Sequence, residues 1–183
     1  SLFISTSAFA EDIKIGIILG FTGPIESLTP AMAAGAEAAI AEVSASGQLL
    51  SGSTVTAIRA DSTCIDSAVA SANAEKLITA DKVNGIMGAD CSGVTGAILA
   101  NVAMANGMVM ISPSATSPAL STAEDNGLFF RTAPSDARQG AIMSNVLMDK
   151  GITSVAVSYT NNDYGKGLAD AFQAAYEADG GSV

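Results

Sequence analysis

The stretch Ile13–Gly20, "IKIGIILG", is a near-continuous apolar run, and no other feature constrains the fold of this chain as much. A strand with one wet face alternates apolar and polar residues. A run without alternation suits a strand covered on both faces, as in parallel sheets flanked by helices. The sequence that follows meets that demand. Pro30–Ser46, "PAMAAGAEAAIAEVSAS", is Ala-rich with glutamates on one side, and Pro30 suits a first helical turn. Next come a strand at "STVTAIRADS", a helix near Ile65–Ala80 and a strand at Val83–Ala89. A helix from about Ser92 to Ala105 leads to the strand "MVMIS". "GLFFRTAP" then crosses into a helix at Ser135–Lys150, followed by a strand at "TSVAVSY" and a helix at Tyr164–Ala178. Such alternation predicts an α/β fold, a doubly wound parallel sheet with helices on both faces. Ligands of these sheets bind outside the carboxyl ends of the strands.

Charge and residue types remove several functions. The net charge is −10, from 8 basic and 18 acidic residues, so the chain lacks the cationic surface that nucleic acid or an anionic membrane requires. It has no histidine, which rules out Ser-His-Asp and Cys-His nucleophiles and HExxH zinc chemistry within this chain. No catalytic residue is assigned, and neither a cofactor nor a metal is expected. There is no G-x-G-x-x-G loop and no G-x-x-x-x-G-K-[ST], and "YGKGLA" has the lysine without the frame. Met104, Met108 and Met110 fall in apolar runs and read as core.

Residues 1–10, "SLFISTSAFA", end in Ala8-Phe9-Ala10, an A-x-A cleavage site after the tail of an apolar segment. They read as a signal-peptide remnant, with the exported chain starting at Glu11; the bland alternative is a short strand or tail. No later stretch approaches the roughly 18 apolar residues of a membrane span. Two cysteines in an oxidising compartment favour a disulfide over two buried thiols. At the other end, Gly180-Gly181 reads as a helix stop and Ser182-Val183 as the first step of a further strand, so a longer protein is expected.

Two loops at strand ends stand out. "ISPSATSPALS" (111–121) carries two prolines, several hydroxyls and no charge; "GADCSGVTG" (88–96) puts Ser92 at a helix start. Ser92 is either an N-cap serving its own helix or a donor to an anion. A nucleophile elbow does not fit, because Asp90 stands where G-x-S-x-G needs glycine and there is no histidine to serve as base. Thr116 is either part of a capping turn or a ligand contact through its hydroxyl and N–H.

In order, "EDIKIGIILGFTGP", Cys64, "CSG" at 91–93, "MISPSATSP", "FFRTAPSD" and "NDYGKGLADAF" resemble the leucine/isoleucine/valine-binding protein family. These are periplasmic solute receptors of branched-chain amino-acid ABC transporters. The resemblance implies the type I periplasmic binding fold, two lobes closing on a ligand: residues 11–131 as the first lobe and 132–183 as the opening part of an incomplete second. It also implies a Cys64–Cys91 disulfide. The ligand carboxylate would meet Ser92 and Thr116, and the ammonium the Ser114 carbonyl with Thr116 helping; Ala115, between Ser114 and Thr116, is counted with the ligand-binding residues. Tyr164 would approach on closure, and Leu28 would lie near the ligand side chain, where some members place an aromatic residue. The acidic partner of the ammonium is expected beyond Val183. The function so implied is receipt of a small, aliphatic or branched-chain amino acid and delivery to an ABC permease in the inner membrane, without membrane insertion after signal removal. The alternatives are a periplasmic sensor on the same fold and a non-binding fragment that dimerises.

Overall fold

The structure, a computed structural model, describes residues 12–49 and 52–183. The export signature at 1–10 and its junction with Glu11 lie outside those residues. Strand β1 (Asp12–Leu19) pairs in parallel with β2 (Thr54–Asp61) and, on its other edge, with β3 (Gly85–Gly88). The sheet continues through β4 (Met110–Ser112) to β5 (Phe129–Arg131), all parallel, in the order β2-β1-β3-β4-β5. Chain progression reverses between β1 and β3, which makes that junction the topological switch point, the usual ligand position in an open α/β sheet.

The apolar run of β1 is explained by what covers it. Ile17 and Leu19 face Ala33 of helix α1 (Thr29–Ala45). Ile18, between them in sequence, belongs to the opposite core with Ala70, Ala74 and Leu77 of α2 (Ser67–Thr79) and Val94 and Ile98 of α3 (Ser92–Ile98). All three β1 side chains are fully buried, each contributing about 1.5–3 kcal/mol. Helix α3 runs on through a π-helical stretch, Leu99–Ala103, into the single turn α4 (Met104–Asn106), so the expected helix over 92–105 has the right path but is not α throughout. Met108 and Met110 are core, as read, and Met104 packs against it.

Two segments differ from the sequence reading. Phe129–Arg131 was expected as a crossing and is strand β5; three residues carry too little periodicity to announce a strand. "TSVAVSY" was expected as a strand and does not form one. Its only bridge is Ser154 to Ser182, with Val155 N–H donating to the Ser182 carbonyl at 3.0 Å. β-prone residues become a strand only where a neighbour completes the ladder, and Val157 and Tyr159 remain exposed. Helices α5 (Asp136–Asp149) and α6 (Asp163–Ala178) pack closely at Gly140, where a Cβ would lie 2.7 Å from the Phe172 nitrogen. Tyr176 is fully buried, stacks on Phe172 with ring centres 5.3 Å apart, and donates its hydroxyl to the Ile152 carbonyl at 2.7 Å.

Candidate functional site

The carboxyl ends of the central strands converge on Asp90, which is 3% exposed. Its Oδ2 accepts from the Gly20 N–H after β1 at 2.8 Å. Its Oδ1 accepts from Ser62 Oγ after β2 at 3.1 Å and from the Cys91 N–H at 3.0 Å. One carboxylate therefore joins the loops after three adjacent strands. Close by, Gly88 has φ +134°, and a Cβ there would stand 2.1 Å from the Ile18 carbonyl oxygen, so no side chain fits. Cys64 and Cys91 form the disulfide, fixing the loop after β2 to the residue before α3 with a Cα separation of 5.2 Å. At the end of β2, burial raises the Asp61 carboxyl. Hydrogen bonds from Thr22 Oγ1 and from the Thr63, Thr22 and Phe21 amides outweigh burial and hold it below the usual carboxylate range.

The loop after β4 is held by three side chains. Ser112, fully buried, donates its hydroxyl to the Ala89 carbonyl at 2.5 Å and accepts from the Ala115 N–H at 2.9 Å and the Ser114 N–H at 3.4 Å. Arg131 Nη1 donates to the carbonyls of Ala115 at 3.1 Å and Ser117 at 2.9 Å, while Nη2 donates to Ser121 Oγ at 2.5 Å. Asp136, 2% exposed, accepts from Thr116 Oγ1 at 2.8 Å and returns a bond from its own N–H to the Thr116 carbonyl at 2.9 Å. Ser114 Oγ donates to the Asp90 carbonyl at 3.0 Å, tying this loop to the one after β3. The Ser117 N–H donates to Ser92 Oγ at 3.1 Å.

Ser114 and Thr116 are half-buried, between the buried Ser112, Ala115 and Ser117, and a backbone group shielded from water needs a partner. Among the described residues, every backbone donor and acceptor from Ser114 to Ser117 has a protein partner except two, the Ser114 carbonyl and the Thr116 N–H. The hydroxyls beside them have opposite polarity. Ser92 Oγ accepts from Ser117 and keeps its proton free to donate. Thr116 Oγ1 gives its proton to Asp136 and keeps only lone pairs.

The structure thus brings Ser92, Ser114, Ala115 and Thr116 together, with Ala115 fully buried as the fixed middle of the cradle. It corrects one detail: Cys91, not Ser92, occupies the N-cap of α3, no side chain caps that helix, and the Ser92 hydroxyl serves the neighbouring loop. Ser92 lines a hollow of about 630 Å³ with Ser117, Leu120, Asp163 and Lys166, whereas Thr116 lines a second one of about 350 Å³ with Asp136, Ile142 and Met143. Leu28 precedes α1 and is 61% exposed; Tyr164 lies in the first turn of α6 and is 44% exposed. Neither lines these hollows. Helix α6 approaches the cradle at Gly167, where a Cβ would lie 3.0 Å from Pro118 Cδ and Ser117 Oγ.

Sequence reasoning missed the residues that build the cradle from behind. Asp90 was noticed only for breaking a motif, and Arg131 and Asp136 only as letters of "FFRTAPSD". The available signal was a charged residue next to an apolar strand, where burial without a partner is costly. No helix of the described residues is long and apolar enough to cross a membrane, and these residues contain no group of three or more His, Cys, Asp or Glu able to hold a metal.

The chain is 32% identical over 184 residues to the Leu/Ile/Val/Thr-binding protein of Salmonella typhimurium, covering 100% of this chain and 49% of that one. It is 33% identical to Leu/Ile/Val-binding protein homolog 3 of Brucella melitensis, covering 97% and 48%. The structure matches that of the branched-chain amino acid transporter substrate binding protein of Streptococcus pneumoniae, solved with isoleucine, with a TM-score of 0.81 at 31% identity over 94% of this chain and 48% of that one. The chain spans about half the length of the curated relatives it matches. The family model described as periplasmic binding protein matches residues 12–183, and the chain belongs to that family.

Proposed function

We propose that this chain carries the amino-acid cradle of an extracytoplasmic solute receptor for a branched-chain or other aliphatic amino acid. The observation that carries the reading is the pair of unpartnered backbone groups in the stretch Ser114–Ser117, whose other backbone groups are all bonded. A free carbonyl at Ser114 suits an ammonium. A free N–H at Thr116 and the free proton of Ser92 suit a carboxylate. Hydrogen bonds to charged groups are worth about 1.5–3 kcal/mol each, so a few of them hold a zwitterion without an arginine in contact with it. The cradle is stiffened by Pro113 and by its bonds to Asp90, Arg131 and Asp136, so little entropy is lost when the ligand arrives.

In this reading residues 11–131 form the first lobe, and 132–183 open a second that closes over the ligand. Tyr164 and Leu28, both at helix starts, meet the ligand side chain on closure. The receptor works in the periplasm and delivers its ligand to an ABC permease, the role that the family resemblance implies. The names of the relatives, Leu/Ile/Val-binding proteins, agree with it.

A thermal-shift panel tests the reading. It should contain leucine, isoleucine, valine, threonine and 4-hydroxybenzoate, the last because an aromatic acid offers no ammonium to Ser114. An aliphatic amino acid at 100 times its Kd should stabilise the protein by about 2.7 kcal/mol. A shift with hydroxybenzoate and none with any amino acid would overturn the assignment.

A further inference from the structure

We propose that Arg131 is a positioning residue that aims the Thr116 N–H at the ligand carboxylate; the inference rests on the amino-acid reading of the cradle. In a trans peptide the C=O and the following N–H point in opposite directions. The peptides of this loop are trans. The carbonyl of Ala115 is held by Arg131 Nη1 at 3.1 Å, so the N–H of the same peptide, that of Thr116, is turned away from the guanidinium. The same nitrogen holds the Ser117 carbonyl at 2.9 Å, fixing the chain on the far side of Thr116. Nη2 anchors the fork to Ser121 Oγ at 2.5 Å. One planar group with donors in fixed directions therefore sets two carbonyls two residues apart, which a single ammonium on a flexible stem does not reproduce.

Ser112 does the equivalent work one peptide earlier. By holding the Ala115 N–H at 2.9 Å it turns the Ser114 carbonyl the other way. All the hydrogen-bond partners of Arg131 are neutral oxygens of this loop, and neither ion pair among the described residues involves it. Its charge is spent on orientation.

The test compares wild type, Arg131→Gln and Arg131→Lys by two readouts. The first needs no ligand: the ¹H–¹⁵N signal and hydrogen-exchange rate of the Thr116 amide, with β1 amides as the control for global stability. The second is the Kd for L-leucine. Both variants should move the Thr116 signal while the β1 amides keep their protection, and leucine affinity should fall at least tenfold. Lysine, which keeps the charge and loses the fork, should restore less than half of the lost binding free energy. If Arg131→Gln does not fold, Arg131→Lys alone decides. An unmoved Thr116 amide, or full recovery by lysine, would overturn the positioning role whatever leucine does. A wild type that ignores every aliphatic amino acid would instead remove the functional reading, with the amide result still deciding how Arg131 acts on the loop.

Discussion

Replacing Asp90 by asparagine changes one atom and should test how the three strand ends are held. In the native protein Oδ1 receives two donors, Ser62 Oγ and the Cys91 N–H, and Oδ2 receives the Gly20 N–H. Asparagine placed best keeps its oxygen at the two-donor position. Its NH₂ then faces the Gly20 N–H, donor against donor, in a site 3% exposed. The loss of one charge-assisted bond leaves a buried N–H unsatisfied at about 1–3 kcal/mol, and the two remaining bonds weaken from charged to neutral strength, so the total is about 2–4 kcal/mol. Asp90→Ala should cost more, because all three donors lose their acceptor. Urea unfolding at neutral pH measures this directly. With a slope of about 2 kcal/mol per molar for a domain of this size, the Asp90→Asn midpoint should drop by about 1–2 M. A drop below about 0.3 M, with the slope unchanged, would mean that the loops are held by something other than this carboxylate.

Other perturbations have equally definite outcomes. The disulfide spans a sequence separation of 27, for which the chain-entropy relation gives about 3.5 kcal/mol; a Cys64→Ala, Cys91→Ala double variant that unfolds within 1 kcal/mol of wild type in urea would refute it. Asp61 has a folded-state pKa below its unfolded value, so its contribution is full above about pH 4 and is lost as pH falls through the lowered value. Asp61→Asn should therefore flatten the acid side of the stability–pH curve, and an unchanged slope there would contradict the assignment. Gly35→Ala in α1 meets nothing within 4 Å and should stabilise by about 0.5–1 kcal/mol. Gly167→Ala offers the same entropy gain but presses on Pro118 and Ser117 at 3.0 Å, an overpacking cost of about 1–3 kcal/mol, so its Tm should not rise; equal gains at the two glycines would deny the close docking of α6.

The sheet was legible because burial on both faces leaves its mark residue by residue: Ile17, Ile18 and Leu19 could not alternate with polar residues and still fill two cores. The strand at "TSVAVSY" was misread for the converse reason. Its composition states a preference, but a strand is a property of two segments, and only Ser154 and Ser182 meet. The cradle loop was visible as a rigid, uncharged, hydroxyl-rich stretch. Its polarity was not, because whether Ser92 and Thr116 donate or accept depends on Ser117 and Asp136, which approach from 25 and 20 residues away. Asp90 and Asp136 escaped for the same cause: a buried charge looks like a surface charge until its partners are known.

Titration calorimetry with leucine and two analogues tests the central claim most directly. Leucinamide lacks the carboxylate and 4-methylpentanoate lacks the ammonium, and each leaves one end of the cradle unpaired. Leucine should bind, and each analogue should bind at least tenfold more weakly, since losing one bond to a charged group costs about 1.5–3 kcal/mol. An analogue that binds as tightly as leucine would show that its missing group meets neither Ser114 nor Thr116 and Ser92, and the cradle would not be the recognition site.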